Sequence, residues 1–234
     1  MGIMLREVAA DNFMGIQKVL TQPVMTFAPF VLFRGLMEMA ALSIWLLSVK
    51  IEEIERTQRI LTYRWYALNE ELKYAHTTND LKYISSVVNR INKLQQDAEL
   101  VSILPVCDKK GITIGYGERI PPRTVIINNC LNGESIYRLF SAISHGQSWA
   151  IIQSSFREQT SNIEVYEKVK GSILEKNINP IAYMFLCIKS IEYLTRAEKE
   201  QFLYWGWDEK PLLELESEMM LKLKVIGHKH KILT

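Results

Sequence analysis

The sequence predicts an all-α protein, a helical bundle with one long irregular insertion. Apolar residues recur at helical spacing along most of the 234 residues. The apolar fraction of 48% is typical of a globular chain and supplies a sizeable core. Turn signals and β-branched clusters gather in a single stretch, near residues 104–132. We therefore predict one helical domain over residues 1–234, whose insertion near 104–132 holds at most a small β-hairpin.

The first two helices are predicted on either side of Pro23. Residues 11–20 form a short helix in this interpretation, and Pro29 then fits the first turn of a long second helix. The second helix is apolar on nearly all sides, which indicates a central position in the bundle. Its length suits a membrane span, but Arg34 and Glu38 lie near its middle, and each charge would cost about 3 kcal/mol there. We therefore expect a buried core helix and no membrane partner.

A third and a fourth helix are predicted next, because no proline or glycine interrupts residues 36–77. The second helix either continues into this stretch or bends near Ser48, where the apolar run gives way to an amphipathic pattern. Asn79 and Asp80 predict a turn and a cap for the following helix. That helix carries an apolar stripe over residues 81–100, so we expect it to bury one face.

The insertion begins where Pro105 ends this helix. Residues 108–111 are a turn signal, Pro121-Pro122 interrupt the chain, and residues 124–128 are rich in β-branched side chains. We expect a long loop with one small hairpin, and any strand of the protein to lie within about residues 104–128. A loop of this length in a compact domain is often a functional lid or arm.

The C-terminal half is predicted to be helical again. Capping residues and prolines mark the starts of four helices, near Glu134, Asn162, Pro180 and Pro211. The first of them ends near His145, because Gly146 follows and favours a helix end or a bend. Helices therefore precede and follow the insertion.

Charge and cysteine content exclude several classes of protein. The net charge of +2 gives no strong overall attraction to nucleic acid or membranes. The cysteines are odd in number and far apart, which indicates a reducing compartment and argues against a structural zinc site; they are Cys107, Cys130 and Cys187. Early charged residues break any signal-peptide run, and His228 and His230 lie in a basic tail typical of a frayed end. We therefore predict a cytoplasmic protein without a metal or another cofactor.

The most informative segment is residues 137–146, Tyr-Arg-Leu-Phe-Ser-Ala-Ile-Ser-His-Gly. The common nucleotide, metal and hydrolase motifs are absent from the sequence, including Gly-x-x-x-x-Gly-Lys-[Ser/Thr], His-Glu-x-x-His and Gly-x-Ser-x-Gly. In a helix, spacings of three and four place Arg138, Ser141 and His145 in one polar stripe. Histidine exchanges a proton near neutral pH, and arginine binds phosphate through paired hydrogen bonds. The stripe therefore points to chemistry on a phosphate group.

The distance between Arg138 and His145 constrains any shared site. Seven residues of helix rise about 10.5 Å, so the two side chains of one chain cannot easily act on one atom. A second copy of the helix, packed across a two-fold axis, would bring the arginine of one chain near the histidine of the other. A joint action of the two residues therefore predicts a homodimer.

The spacing of Arg138 and His145, with six residues between them, resembles the Arg-x-x-x-x-x-x-His motif of the HEPN superfamily. A longer pattern combines Arg34-x-x-x-Glu38 in an apolar helix with the late Tyr-Arg-Leu-x-Ser-x-x-x-His-Gly. This pattern is similar to a group of uncharacterised bacterial helical proteins associated with that superfamily. The resemblance covers two helices. Leu139 departs from it, because active members usually carry a polar residue after the motif arginine.

The resemblance implies an all-helical, metal-independent endoribonuclease whose composite active site forms in a homodimer. Such a protein would be a toxin or antiphage defence effector, and its partners would be RNA and an antitoxin or other regulatory protein. His145 would act as general acid or base, and Arg138 would bind the phosphate. The alternative is a non-catalytic helical module that keeps the fold and binds a partner or a small ligand.

Other polar residues are expected around these two. Arg34, Glu38 and Ser141 would support the site, although Arg34 and Glu38 lie four residues apart and could equally form a structural ion pair. A buried charge in such an apolar helix needs a partner in either case. The local basic residues expected to hold RNA are Arg56, Arg59 and Arg64.

Overall fold

The computed structural model of the chain describes residues 1–21, 24–158, 174–176 and 180–229. Helices dominate these residues, which confirms the predicted all-α class. The helices are α1 Gly2–Val19, α2 Ala28–Leu47, α3 Glu53–Thr78, α4 Leu81–Leu100, α5 Arg123–Leu131, α6 Glu134–Ser144, α7 Ser148–Ser155, α8 Pro180–Tyr204 and α9 Lys210–Lys229. The strands are β1 Pro105–Cys107, β2 Thr113–Tyr116, β3 Glu118–Arg119, β4 Phe156–Glu158 and β5 Leu174–Lys176.

The chain divides into two compact units. The first consists of residues 46–122 together with Met1, and the second of residues 2–45 and 123–234. The first unit is therefore inserted, in sequence order, between two parts of the second. The prediction that both belong to one domain stays a prediction.

Several helix boundaries follow the capping signals of the sequence. Pro29 is the second residue of α2, where the missing N–H of proline breaks no helical hydrogen bond. The Asp80 carboxylate accepts hydrogen bonds from the backbone N–H groups of Lys82 and Tyr83 and so caps α4, as predicted. Asn79 ends α3 in the left-handed region at φ 55°. Between α2 and α3 the chain leaves the helix at Ser48 instead of bending within it.

Two predicted boundaries are wrong. The first helix begins at Gly2, nine residues before the predicted start at Asp11, because buried Gly2 and Ala9 continue the face of Ile16 towards the N-terminus. The irregular insertion ends at Pro122, because the β-branched residues after it form α5. Ile126, Ile127 and Leu131 of α5 are buried, so packing of one helix face overrides the preference of β-branched residues for strands.

A small antiparallel pair of strands lies outside the predicted range of residues 104–128. Phe156 of β4 pairs with Lys176 of β5, and Glu158 pairs with Leu174. The expectation that all strands fall within the insertion is therefore wrong. The helix predicted from Asn162, and the side chains of His228 and His230, lie outside the described residues.

The core of the first unit joins α3 and α4 to a three-stranded antiparallel sheet. The strand order is β1-β2-β3, and β1 and β2 form the predicted hairpin, with Pro105 opposite Tyr116. Buried residues from both helices and the sheet form one cluster: Leu61, Leu68, Ala75, Val87, Ile91, Leu94, Ala98, Ile103 and Tyr116. The hairpin thus covers an apolar face that the two helices leave open.

A single threonine ties the hairpin to α3. The fully buried Thr62 hydroxyl accepts a hydrogen bond from the Tyr116 N–H at 2.7 Å. It can donate its own proton to the Tyr116 carbonyl at 2.9 Å or to the Glu118 carbonyl at 3.0 Å. Gly115 lies so close to Thr62 and to the Glu118 carbonyl that a Cβ atom would collide with both. The chain therefore needs a glycine here for the hydroxyl to reach the strand.

The core of the second unit is an aromatic cluster on α2, α6 and α8. Phe140 stacks on Phe30 at 5.3 Å between ring centroids and meets the edge of Phe33 at 5.1 Å. Tyr183 and Tyr193 of α8 lie against the same two rings of α2, at 5.6 and 6.0 Å. These ring contacts fix α2 against both later helices.

The second helix also has the length and apolar composition of a membrane span. Among the described helices it alone meets both conditions, and 61% of its most apolar window is buried inside the protein. Such burial is typical of a core helix, as expected from the two charges near its middle. The charges, Arg34 and Glu38, lie on the half-buried side of the helix.

We predict that Thr62→Val destabilises the protein by about 1–3 kcal/mol, because the Tyr116 N–H is left buried without an acceptor. Valine keeps the shape of threonine, so the loss reports the hydrogen bonds. Urea unfolding measures it as a shift of the midpoint. Thr57→Val is the matched control on the same helix, since its hydroxyl bonds only the Glu53 carbonyl at the surface. Equal midpoint shifts for the two variants would contradict the proposed role of Thr62.

Candidate functional site

An ion pair on α2 begins the site. Arg34 Nε donates to Glu38 Oε1 at 2.9 Å, across one helical turn. The side chains are only 24% and 19% exposed, so both charges are largely removed from water and need partners. The ion pair predicted from the spacing of the two residues is therefore present, and further partners come from α6.

Tyr137 supplies the second partner of the Glu38 carboxylate. Its hydroxyl donates to the same Glu38 Oε1 at 2.9 Å, and the Arg34 guanidinium carbon lies 5.9 Å from the centre of its ring. Burial, and then the hydrogen bond to Glu38, raises the pKa of Tyr137. The hydroxyl therefore stays protonated at neutral pH and remains a donor. Glu38 thus holds the Arg34 guanidinium, and Tyr137 holds the Glu38 carboxylate.

His145 meets Arg34 at the end of α6. It is the C-terminal capping residue of that helix, and its backbone N–H still donates to the Ser141 carbonyl at 3.0 Å. Gly146 follows at φ 71°, a left-handed conformation that favours glycine, and turns the chain away. The exposed His145 side chain then brings Nε2 within 3.3 Å of Arg34 Nη1. Two residues 111 positions apart in sequence thus form one contact.

The contact fixes which nitrogen of His145 carries the proton. An arginine side chain only donates hydrogen bonds, so His145 Nε2 must accept and the proton of the neutral ring lies on Nδ1. A protonated imidazole would place two cations together. Arg34 uses Nε and Nη1 in these two bonds, and its guanidinium also lies against the Tyr137 ring. The arrangement combines a fixed cation with an exposed group that can take up a proton.

The structure separates Arg138 from this cluster. Arg138 donates from Nε and Nη2 to Glu134 on its own helix, at 2.9 and 2.7 Å, and its side chain is 65% exposed. Within one chain, Arg34 is therefore the arginine that lies against His145. The role of Arg138 across a dimer stays a prediction. Ser141 is half-buried and contributes its carbonyl to the end of the helix.

The three arginines expected to hold RNA lie on α3, in the other compact unit. Arg56 donates from Nε and Nη2 to the Ser48 carbonyl, at 3.1 and 3.0 Å, and so holds the chain between α2 and α3. Arg59 is only 15% exposed and lies between Glu55 at 2.6 Å and Glu118 at 3.5 Å. Arg64 is exposed. Two of the three are thus engaged in holding the unit together.

Tyr137 is the site residue that the sequence reasoning did not assign. It directly precedes Arg138 in the quoted motif and lies three residues before the core residue Phe140. A tyrosine on the buried face of a helix usually finds a partner for its hydroxyl, and a glutamate in an apolar helix needs a donor. Each requirement can be predicted from the sequence by itself. The sequence does not show that Tyr137 and Glu38 satisfy one another.

No group of three or more His, Cys, Asp or Glu residues placed to hold a metal ion occurs in the parts of the chain that the structure describes. The three cysteines are free thiols. Comparison with protein-family models, with curated proteins and with solved structures finds no significant match to this chain.

We predict that Tyr137→Phe lowers the free energy of unfolding by about 1.5–3 kcal/mol, because it removes a hydrogen bond to a charged carboxylate. Tyr183→Phe is the matched control, since its equally buried hydroxyl donates to the neutral Thr26 carbonyl at 3.0 Å. That change should cost only about 0.5–1.5 kcal/mol. Chemical denaturation of both variants gives the comparison. A larger loss for Tyr183→Phe would contradict the importance assigned to the Glu38 carboxylate.

Proposed function

We propose that this protein is a metal-independent endoribonuclease of the HEPN type, active as a homodimer. The observation that carries the proposal is the contact between Arg34 Nη1 and the exposed His145 Nε2 at 3.3 Å. It brings a phosphate-binding group and a proton-transfer group within reach of one another on the surface of the second unit. Cleavage of RNA next to a 2′-hydroxyl needs these two groups and no metal.

The reaction proposed is an internal transesterification. The ribose O2′ attacks the adjacent phosphorus, the bond from phosphorus to O5′ breaks, and a 2′,3′-cyclic phosphate and a 5′-hydroxyl result. His145 carries out one of the two proton transfers, either from the 2′-hydroxyl or to the departing O5′, and water carries out the other. Arg34 donates to a non-bridging oxygen on which negative charge develops. Substrate phosphate would take the place of His145 as acceptor of the Arg34 Nη1 proton, which frees Nε2 for proton transfer.

Glu38 and Tyr137 would keep Arg34 in place during this exchange. The Glu38 carboxylate fixes Nε of Arg34 at 2.9 Å, and Tyr137 fixes the carboxylate. An arginine held at one edge loses less freedom when the other edge binds a phosphate. Both are positioning residues in this proposal, since neither would touch the substrate.

The dimer would supply Arg138. In the single chain Arg138 pairs with Glu134 at the surface, where an exposed ion pair contributes little stability. A phosphate at the site of the other protomer could therefore replace Glu134 as its partner at small cost. A cytoplasmic toxin or antiphage effector, controlled by an antitoxin or other regulatory protein, is the setting that we propose.

The alternative is a helical module that binds an anionic ligand or partner without turnover. The surface pairing of Arg138 with Glu134 favours it, because the motif arginine is engaged outside the cluster. Under this alternative, Arg34 and His145 would still bind a phosphate, but no bond would break. The two functions therefore differ in whether a bond of the RNA is broken, which a cleavage assay measures.

We predict that the purified protein cleaves single-stranded RNA in the presence of a chelator and leaves 2′,3′-cyclic phosphate ends. His145→Ala should lower the rate by about 10²- to 10⁴-fold, the usual contribution of a general acid or base. Arg34→Ala should lower it by about 10²-fold or more, the cost of losing one donor to the transition state. His76→Ala, an exposed histidine of the other unit, is the matched control and should keep full activity. Full cleavage by the His145→Ala protein would exclude the proposed mechanism.

Mixed dimers separate the two arginines. Arg34 contacts His145 of its own chain, so a dimer of Arg34→Ala with His145→Ala contains no complete site and should stay inactive. A dimer of Arg138→Ala with His145→Ala retains one complete site if Arg138 acts across the interface, and should recover part of the activity. Verified heterodimers without this recovery would exclude the role of Arg138 in the partner's site. A wild-type protein that cuts no RNA would favour the binding module.

A further inference from the structure

The outer face of α4 carries positive charge between Leu81 and Gln96. From Leu81 to Gln96 the sequence holds no Asp or Glu. A shallow depression on this stretch of the first unit is lined by one apolar residue, Leu81, and otherwise by cations, hydroxyls and an amide: Lys82, Ser85, Ser86, Asn89, Arg90 and Lys93. This composition is typical of a surface that binds phosphate oxygens, which accept hydrogen bonds from all three groups.

Helix geometry aligns four of these residues. Positions 82, 86, 89 and 93 are separated by four, three and four residues, so they fall within about 60° of one another around the helix. Lys82 and Lys93 lie at the two ends of this row, about 16.5 Å apart along the axis. Ser86 and Asn89 lie between them. The row is long enough to follow a chain of successive phosphates instead of a single one.

Two acidic groups next to this face, Asp80 and Glu71, are already engaged. Asp80 accepts from the backbone N–H groups of Lys82 and Tyr83 at the start of α4. Glu71 accepts from Arg90 and from the Tyr83 hydroxyl, and the hydrogen bond from Arg90 lowers the pKa of Glu71. Lys82 and Lys93 form no ion pair within the residues that the structure describes. Their charges are therefore available to an external anion.

An exposed aromatic ring lies at the Lys82 end of this face. Tyr74 of α3 is 62% exposed and meets Tyr83 of α4 edge to face, at 6.4 Å between ring centroids. The hydroxyl of Tyr83 is anchored on Glu71, so the pair is held in place. The T-shaped contact leaves a face of the Tyr74 ring open, and such a face can stack on an unpaired base.

We infer that the outer face of α4, together with Tyr74, binds single-stranded RNA. Lys82 and Lys93 neutralise phosphates, Ser86 and Asn89 donate to phosphate oxygens, and a base stacks on Tyr74. The combination of a basic track with an aromatic platform distinguishes a single strand from a duplex, whose bases are already stacked. The choice of RNA as the polynucleotide rests on the proposed function, whereas the surface itself lies outside the catalytic cluster. This face replaces Arg56 and Arg59 as the expected RNA-binding surface, because those two arginines bond within the chain.

The test measures binding without cleavage. A fluorescein-labelled single-stranded RNA with 2′-O-methyl riboses lacks the nucleophile for transesterification, so anisotropy reports affinity alone. The variant is Lys82→Gln combined with Lys93→Gln. Loss of two phosphate contacts should make the plot of log K against log salt less steep by about 1.4. When the salt is reduced from about 1 M to about 0.1 M, the variant should therefore gain about 25-fold less affinity than the wild type. Tyr74→Ala should weaken binding about fivefold or more, and Tyr74→Phe should bind as the wild type does.

The matched control is Lys73→Gln combined with Lys222→Gln, which removes the same charge from two exposed lysines that already pair with glutamates. This control should keep the wild-type slope. Equal weakening of both double variants would mean a general charge effect and would overturn the inference, as would wild-type affinity in the Lys82/Lys93 variant. Binding of an acidic peptide on this face in preference to the RNA would also overturn it. A wild type that binds the methylated RNA but cleaves no RNA would reject the ribonuclease and leave this surface intact.

Discussion

The packing of three phenylalanines determines where every polar group of the candidate site lies. Phe33 directly precedes Arg34 on α2, and Phe140 lies one turn after Tyr137 on α6. When Phe140 fits between Phe30 and Phe33, at 5.3 and 5.1 Å, the rotation and height of both helices are fixed. The tyrosine hydroxyl and the end of α6 then reach the arginine and the glutamate without further adjustment. The apolar core thus sets the positions of the charged side chains, because close-packed rings tolerate little sliding.

The Glu38 carboxylate explains why this cluster persists at the edge of an apolar core. Two charged side chains that are less than a quarter exposed are costly unless their hydrogen bonds are made. Glu38 Oε1 accepts from both Arg34 and Tyr137 at 2.9 Å, so one oxygen satisfies donors from two helices. A network of this kind is stable when complete and costly when one member is removed. The same half-burial leaves one edge of the guanidinium at the surface, where it can meet a ligand.

Local signals in the sequence predicted most helix ends but not the contacts between helices. Three local signals predict helix ends because each acts over only a few residues: the cap at Asp80, Pro29 and Gly146. The β-branched residues of α5 misled, because burial of one helix face outweighed their local preference. The pair of Arg34 and Glu38 was predictable from its spacing, whereas the approach of His145 depends on ring packing between distant helices. The sequence motif therefore assigned the main arginine role to Arg138, on the same helix as His145, and only a supporting role to Arg34.

The order of the two units along the chain has a consequence for synthesis on the ribosome. Apart from Met1, the first unit is continuous, so it can fold once residue 122 has emerged. The second unit is discontinuous, and α2 must wait for partners on α6 and α8 that are translated after the whole of the first unit. At about 5–20 residues per second, the 111 residues between Arg34 and His145 take about 6–22 s. During that interval the most apolar helix of the nascent chain lacks the rings that cover it, which makes α2 the segment on which a chaperone would be expected to act first.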